Sequence, residues 1–217
     1  MAMENDLAFV VFDVETTGLR PTENELIEVA ALRFRADGGI LDRFHSFVRP
    51  PGGVIPPIIQ QLTGIRPEDV ADAPPPGEAT GAFRSWLSDG SLPMLAHNAA
   101  FDLDFLGPRI AGLGLALPSG PVFDTLAMAR SLLPQLENHK LATVGKALGL
   151  ENPNLHRADA DVEMLKDIFL GLLRIAGNPN LSALSERFPP MRFLAGAQPR
   201  REPELIPRSE EHTSELQ

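Results

Sequence analysis

Four carboxylates and one histidine are placed where they could bind a metal ion and move a proton. Asp13 and Glu15 close an apolar segment, and Asp102 lies early in a predicted helix. Asp161 begins the apolar stripe of a later helix, five residues after His156. Carboxylate oxygens are preferred ligands of hard cations, and an imidazole suits proton transfer near neutral pH. These residue types together indicate metal-assisted hydrolysis.

Each of these features is a weak signal when it stands alone. Asp13 and Glu15 share one face of a strand, where two like charges repel each other unless a cation lies between them. Taken alone, such a pair is more often a solvated strand end. Asp102 alone is more often a first-turn residue that favours the helix dipole. Asp161 differs, because its helical neighbours at three- and four-residue spacing are apolar, and a carboxylate there needs a partner.

The carboxylates indicate more together, because the ends of neighbouring strands meet at one edge of a sheet. Zinc would prefer His and Cys ligands, and the chain has no Cys. We therefore predict two bound Mg²⁺ or Mn²⁺ ions, with the ligands Asp13, Glu15, Asp102 and Asp161. Two such ions about 3.5 to 4 Å apart can bind the attacking and leaving oxygens of a phosphodiester. His156 would take a proton from the attacking water.

Composition limits how the chain can bind a polyanion. The formal net charge is −10, so a nucleic acid would be repelled by the protein as a whole. Affinity then depends on bound cations and on Arg side chains around one groove. The acidic start, the absence of Cys and the lack of an apolar run of about 20 residues predict a cytoplasmic protein with no membrane segment.

The elements that must position these residues follow a mixed α/β pattern. The apolar run 7–14 predicts a central strand, and the runs 25–35 and 40–48, joined at Asp37-Gly38-Gly39, predict a hairpin. Further strands are predicted at 92–97 and 122–123, and helices at 78–87, 99–111, 124–133, 141–148 and 157–176. This order predicts a ribonuclease H-like mixed sheet, with an antiparallel β-β-β start, following βα units and helices on both faces.

Domain boundaries follow from where the periodicity ends. Residues 1–176 are predicted to form one domain, and periodicity fades from about residue 178. Residues 177–207 are predicted to be a linker containing Pro and Arg, or a tail that docks on a DNA polymerase or helicase. Residues 208–217 look like a cloning or sequencing-adapter scar and are excluded from the predicted fold.

Three motifs, in this order, resemble those of the DEDDh exonuclease family, which includes ribonuclease T and the proofreading ε subunit of bacterial DNA polymerase III. The motifs are Phe12-Asp13-Val14-Glu15-Thr16-Thr17-Gly18, His97-Asn98-Ala99-Ala100-Phe101-Asp102 and His156-Arg157-Ala158-Asp159-Ala160-Asp161. The resemblance covers residues 7–176. One departure is Asp159, where relatives often carry an apolar residue, and it leaves the spacing to Asp161 unchanged.

The resemblance implies an activity and a set of site residues. The activity is metal-dependent 3′-to-5′ removal of 5′-mononucleotides from single-stranded DNA or RNA, with proofreading as the leading expected role. His156 would be the general base, and the metal ligands would be Asp13, Glu15, Asp102 and Asp161. The residues implied to contact or lie near the terminal nucleotide are Thr16, Thr17, Gly18, Leu62, Thr63, His97 and Asn98.

Three alternatives remain open from the sequence. A binding module that keeps the fold without catalysis would not hydrolyse nucleic acid in the presence of Mg²⁺. An endonuclease or transposase on the same fold would cut a circular single strand, which an exonuclease leaves intact. The chain could also be the exonuclease fragment of a larger polymerase or helicase. Among other polar residues, Asp124 is predicted to cap a helix, and His45 to be a packed or exposed strand residue.

Overall fold

The computed structural model describes residues 7–150 and 157–196. At their centre lies a five-stranded sheet with the strand order β3-β2-β1-β4-β5. The strands are β1 (Ala8–Thr16), β2 (Leu26–Arg35), β3 (Ile40–Phe47), β4 (Met94–Ala96) and β5 (Val122–Asp124). The first three strands pair antiparallel, whereas β4 runs parallel to β1 and to β5. The predicted ribonuclease H-like mixed sheet is confirmed.

Helices cover both faces of this sheet. They are α1 (Pro57–Thr63), α2 (Pro67–Val70), α3 (Pro76–Trp86), α4 (Ala99–Gly112), α5 (Thr125–Leu132), α6 (Leu141–Ala147), α7 (Ala158–Ile175) and α8 (Leu181–Arg187). The helix α7 packs on β1 and β2 and contacts α5 and α6, while α3 and α4 lie on the opposite face. Within the described ranges, no helix has both the length and the apolar character needed to cross a membrane.

The central strand β1 is buried between these two helical layers. Its alternate side chains point to opposite faces, so Phe9 and Val11 join the core under α7. Val10 and Phe12 join the core under α3 and α4. The apolar run that predicts a strand covered on both faces therefore has that environment.

The β2/β3 hairpin turns where the sequence predicts it. Gly38 has a φ of 95°, in the left-handed region that glycine adopts without steric strain. The Oδ1 atom of Asp37 accepts the N–H of Gly39 at 2.8 Å. This turn sets the register of the two strands, which places Glu28 opposite Phe47.

The chain after residue 176 differs from the predicted linker. The helix α8 is capped by Asn180, and the chain then returns to the sheet, where Met191 forms a bridge with Val122. Phe193 is 4% exposed and stacks on Phe12, with 5.9 Å between the ring centroids. The apolar residues of this segment are too few and too irregularly spaced to show the periodicity of a helix or a strand. Met191 and Phe193 nevertheless complete the core beside the central strand.

The packing of this terminal segment can be tested at Gly107 in α4. A Cβ added there would lie 2.2 Å from the carbonyl oxygen of Leu194, so Gly107→Ala must displace that backbone. We expect this variant to lower the free energy of unfolding by about 1 to 3 kcal/mol. An added Cβ at Gly112, in the same helix, meets no atom within 4 Å.

Gly112→Ala is therefore the matched control, and we expect it to be neutral or to stabilise the protein by up to about 1 kcal/mol. Chemical denaturation of both variants measures the difference. Equal stabilities would show that the segment around Leu194 does not pack against α4.

Candidate metal-binding active site

The carboxyl end of β1 presents two acidic side chains toward α7. Asp13 and Glu15 continue the alternation of Phe9 and Val11, whose side chains lie in the core under that helix. Asp13 is 2% exposed, and Glu15 is partly exposed at the strand end. The register of β1 on β2 shifts directly after Glu15, so regular pairing ends where the acidic pair ends.

The helix α7 brings a third carboxylate to this edge of the sheet. Asp161 lies in the first turn and is 4% exposed, and the apolar residues that follow it at helical spacing are buried in the same core. One carboxylate oxygen each from Asp13, Glu15 and Asp161 lies within 4.8 Å of the other two. The structure therefore brings together three of the four predicted metal ligands.

The fourth predicted ligand, Asp102, reaches the same strand end from the opposite helical layer. It is fully buried in the first turn of α4, and its Oδ1 accepts the backbone N–H of Val14 at 3.2 Å. Val14 stands between Asp13 and Glu15, so the hydrogen bond ties α4 to the acidic pair. Asp102 is not a member of the close group of three oxygens.

This donor set fits a hard divalent cation. Bringing like charges within 4.8 Å at a largely buried position is unfavourable unless the carboxylates share a cation. Carboxylate oxygens alone suit Mg²⁺ or Mn²⁺, whereas zinc prefers nitrogen and sulfur. His156 lies outside the described residues, so its role as a base stays a prediction.

His97 and Asn98, which follow β4, are held in place by the surrounding backbone and side chains. The Nδ1 of His97 lies 2.9 Å from Thr125 Oγ1, and its Nε2 lies 2.9 Å from the carbonyl oxygen of His139. Asn98 has a φ of 63°, and its N–H donates to Asp124 Oδ1 at 2.9 Å. Both side chains are buried, and their expected position beside a substrate stays a prediction.

Asp124 has the capping role that the sequence predicts. Its Oδ1 accepts the N–H of Leu126, in the first turn of α5, at 3.0 Å, in addition to that of Asn98. Burial raises the pKa of this carboxyl, against the opposing effect of the backbone hydrogen bonds. The residue therefore links the starts of α4 and α5.

Three further predicted site residues, Thr16, Thr17 and Gly18, lie at the end of β1 and in the turn that follows it. Thr16 Oγ1 donates to the carbonyl of Gly18 at 2.6 Å, and Thr17 Oγ1 accepts the N–H of Glu25 at 2.9 Å. The two hydroxyls thus stabilise the turn that leaves the acidic strand end. Their contacts with a nucleotide stay a prediction.

The segment at the end of α1 contains Leu62 and Thr63. Thr63 is buried, and its Oγ1 donates to the carbonyl of Ile59 and accepts the N–H of Ile65. Leu62 is partly exposed. Thr63 thus stabilises the end of the helix, and the contact of Leu62 with a base stays a prediction.

A further buried charge lies beside the acidic cluster, and the sequence predictions do not include it. Glu28 in β2 is 0% exposed. Its Oε1 accepts hydrogen bonds from His45 Nε2 at 2.7 Å and Arg157 Nη2 at 3.2 Å, and its Oε2 accepts the N–H of Ala158 at 2.9 Å. The sequence does contain a signal for this residue. Glu28 is the one acidic residue in the apolar run Leu26–Arg35, and a charge in such a strand needs partners.

These contacts change how Glu28 and His45 titrate. Burial by itself raises the pKa of Glu28, but hydrogen bonds from His45, Ala158 and Arg157 bring it below the usual value. The hydrogen bond to Glu28 in turn raises the pKa of His45, against the effect of partial burial. A charged pair is therefore favoured.

Comparison with known proteins finds similar sequences over most of this chain. The family model described as Exonuclease (RNase_T) matches residues 10–169. The PolC-type DNA polymerase III of Bacillus cereus is 42% identical, over 74% of this chain and 11% of that protein. The corresponding protein of Bacillus subtilis is 37% identical, over 80% of this chain and 12% of that protein. The chain thus spans about a tenth of the length of these curated relatives.

Two solved structures share the fold. Exonuclease I of E. coli in complex with a dT13 oligonucleotide has a TM-score of 0.66 and 20% identity, over 78% of this chain and 41% of that one. Exonuclease X in complex with 5′ overhanging duplex DNA has a TM-score of 0.59 and 24% identity, over 78% of this chain and 93% of that one. At these identities the likeness concerns the fold.

The contact between His45 and Glu28 predicts a pH dependence of stability. Because the folded-state pKa of His45 is raised, the contact contributes fully below the ordinary histidine pKa of about 6.5 and is lost as the pH rises through the raised value. We expect the Tm of the wild type to exceed that of His45→Gln at about pH 6, with a smaller difference at about pH 9.

The control is the same substitution made in a Glu28→Gln background, where the charged partner is absent. There the pH dependence of the difference in Tm should shrink or reverse, because the contact that raises the pKa of His45 is absent while burial still lowers it. A pH-independent difference in the wild-type background would contradict the assigned contact.

Proposed function

This chain belongs to the Exonuclease family, and on that premise we propose that it is a metal-dependent 3′-to-5′ exonuclease that releases 5′-mononucleotides from single-stranded DNA. The observation that carries the proposal is the meeting of Asp13, Glu15 and Asp161 within 4.8 Å at the end of the central strand. Like charges at this position oppose folding, and a bound cation would relieve their repulsion.

We assign the binding of two Mg²⁺ or Mn²⁺ ions to these three carboxylates together with Asp102. Ions held there would supply positive charge that stabilises the charge developing on the phosphodiester during hydrolysis. The chain itself orients the ligands: β1 fixes Asp13 and Glu15, and the hydrogen bond from Val14 fixes Asp102. The ions would also reduce the repulsion between an acidic protein and a nucleic acid.

The proton transfer is assigned to His156. This residue directly precedes Arg157, from which α7 starts, and stands five residues before Asp161. A ring nitrogen of its neutral imidazole would accept the proton of the water that attacks the phosphorus atom. Among the predicted site residues, His156 is the one histidine close in sequence to a candidate metal ligand at the start of α7.

We assign the terminal nucleotide to two short segments, the turn that follows the acidic strand end and the end of α1. The turn Thr16–Gly18 would contact it through backbone and hydroxyl groups, and Leu62 would pack on the terminal base. Thr63, His97 and Asn98 would act indirectly, since their side chains are buried and their hydrogen bonds stabilise the local backbone.

We further propose that the activity serves proofreading beside a DNA polymerase. The support is that the similar curated proteins are PolC-type DNA polymerase III from several bacteria, at 35% to 43% identity. A docking role for the tail would fall to residues 197–207, because Leu184, Met191 and Phe193 pack within the domain.

Asp161 and Asp159 form a matched pair for testing the metal site, because they lie in the same helical turn and differ in exposure. Asp161 is buried in the cluster, whereas Asp159 is exposed. We expect Asp161→Asn to lower kcat by at least about 100-fold, since removal of a ligand removes several kcal/mol of charge stabilisation. Asp159→Asn should leave kcat about unchanged. Equal losses in both variants would contradict the assignment.

Polarity and chemistry are tested with 3′-labelled and 5′-labelled single-stranded DNA and RNA, in Mg²⁺, Mn²⁺ or EDTA. We expect metal-dependent release of mononucleotides from the 3′ end, and a loss of about 10² to 10⁴-fold in kcat for His156→Ala. A wild type that is inert under every condition would support the binding-module alternative. Cleavage of a circular single strand would support the endonuclease alternative.

A further inference from the structure

The helix that carries Asp161 begins without a cap from its own sequence. Its N-cap position is occupied by Arg157, whose side chain makes no capping hydrogen bond and contains no acceptor. The first N–H groups of a helix need acceptors from elsewhere. Ala158, the first residue of α7, donates its N–H to Glu28 Oε2 at 2.9 Å. A carboxylate from the distant strand β2 therefore acts as the cap.

Glu28 is itself held firmly on the strand. His45 Nε2 and Arg157 Nη2 donate to its Oε1 at 2.7 and 3.2 Å. The guanidinium of Arg157 also lies over the ring of Phe47, 5.1 Å from the centroid. Because these donors come from β3 and from the start of α7, the carboxylate joins the two elements. Its negative charge also lies at the helix end where anions are favoured.

Glu28 links the strand that carries Asp13 and Glu15 to the helix that carries Asp161. In the β1/β2 ladder it is the direct partner of Glu15, and directly opposite residues of an antiparallel pair lie on the same face. Asp161 stands three residues after Ala158 and thus on the same side of the helix. The contact between Glu28 and Ala158 therefore fixes the first turn of α7 relative to the strands that carry Asp13 and Glu15.

We propose that Glu28 is the positioning residue of the metal site, and that it sets the place of Asp161 against Asp13 and Glu15. It does so by capping α7 from β2, with no contact to substrate or reacting atoms. The inference rests on the proposed function, and it concerns metal affinity and turnover rather than the binding of the nucleic-acid strand.

The test measures binding of Mn²⁺ alone to the full chain, by electron paramagnetic resonance and calorimetry, alongside kcat and KM on single-stranded DNA. We expect Glu28→Ala to weaken Mn²⁺ binding and to lower kcat by about 10- to 100-fold, the usual effect of losing support for a metal ligand. The KM for DNA should stay about unchanged. Glu28→Gln keeps one carbonyl oxygen for the N–H of Ala158 and should recover part of the loss.

Two further variants separate positioning from a loss of stability. Leu184→Ala removes a fully buried side chain from α8, which lies in the same core and carries no candidate site residue, so it should lower the Tm and leave Mn²⁺ affinity unchanged. Arg157→Gln removes one partner of Glu28 at a side chain that is 35% exposed. This variant should stay folded and should weaken Mn²⁺ binding by less than Glu28→Ala does. If Glu28→Ala does not fold, Arg157→Gln provides the test of the positioning role.

The outcomes distinguish this inference from the proposed function. Wild-type Mn²⁺ affinity and kcat in folded Glu28→Ala and Arg157→Gln would overturn the positioning role while leaving the exonuclease assignment intact. A similar loss of Mn²⁺ affinity in Leu184→Ala would also overturn it, because general destabilisation would then explain the effect. A wild type that neither binds Mn²⁺ nor hydrolyses DNA would instead refute the proposed function.

Discussion

Repulsion among the carboxylates at the end of β1 is the constraint on which the rest of the structure depends. Asp13, Glu15 and Asp161 approach within 4.8 Å at a largely buried position, where both repulsion and lost hydration oppose folding. Packing of β1 between two apolar helical layers supplies the opposing free energy. A bound cation would relieve the repulsion, so metal binding and stability are linked at this site.

Buried carboxylates in this fold differ in function according to what they face. Glu28 and Asp124 meet N–H donors, and each fixes the start of a helix that leads to or away from the site. The carboxylates of Asp13 and Asp161 lie close to each other and to that of Glu15, and this group is the candidate cation site. Asp102 shares features of both groups. It accepts a backbone N–H, that of Val14, and it does so at the strand end that carries Asp13 and Glu15. We infer that Glu28 thereby holds the candidate ligand Asp161 in place.

Much of the fold follows from local patterns in the chain. The hairpin at Gly38, the central strand β1 and the long helix α7 have strong periodic or turn signals, and each forms where it is predicted. The helix α8 and the burial of Phe193 were not predicted, because a seven-residue helix and a single aromatic residue show no period. Leu184 of α8 packs in the core under α7, and Phe193 packs on Phe12 in the core under α4, so both positions depend on surfaces that exist only when these helices are packed on the sheet.

For the site, the sequence by itself determined the residue types, their spacing and the exonuclease motifs, because strand and helix periodicity show which side chains share a face. The tertiary structure decided that Asp161 meets Asp13 and Glu15, that Asp102 binds the backbone of Val14, and that Glu28 caps α7. Glu28 and Ala158 are 130 positions apart in the chain, so no local pattern connects them. Only packing of the helix across the strands brings such groups into contact.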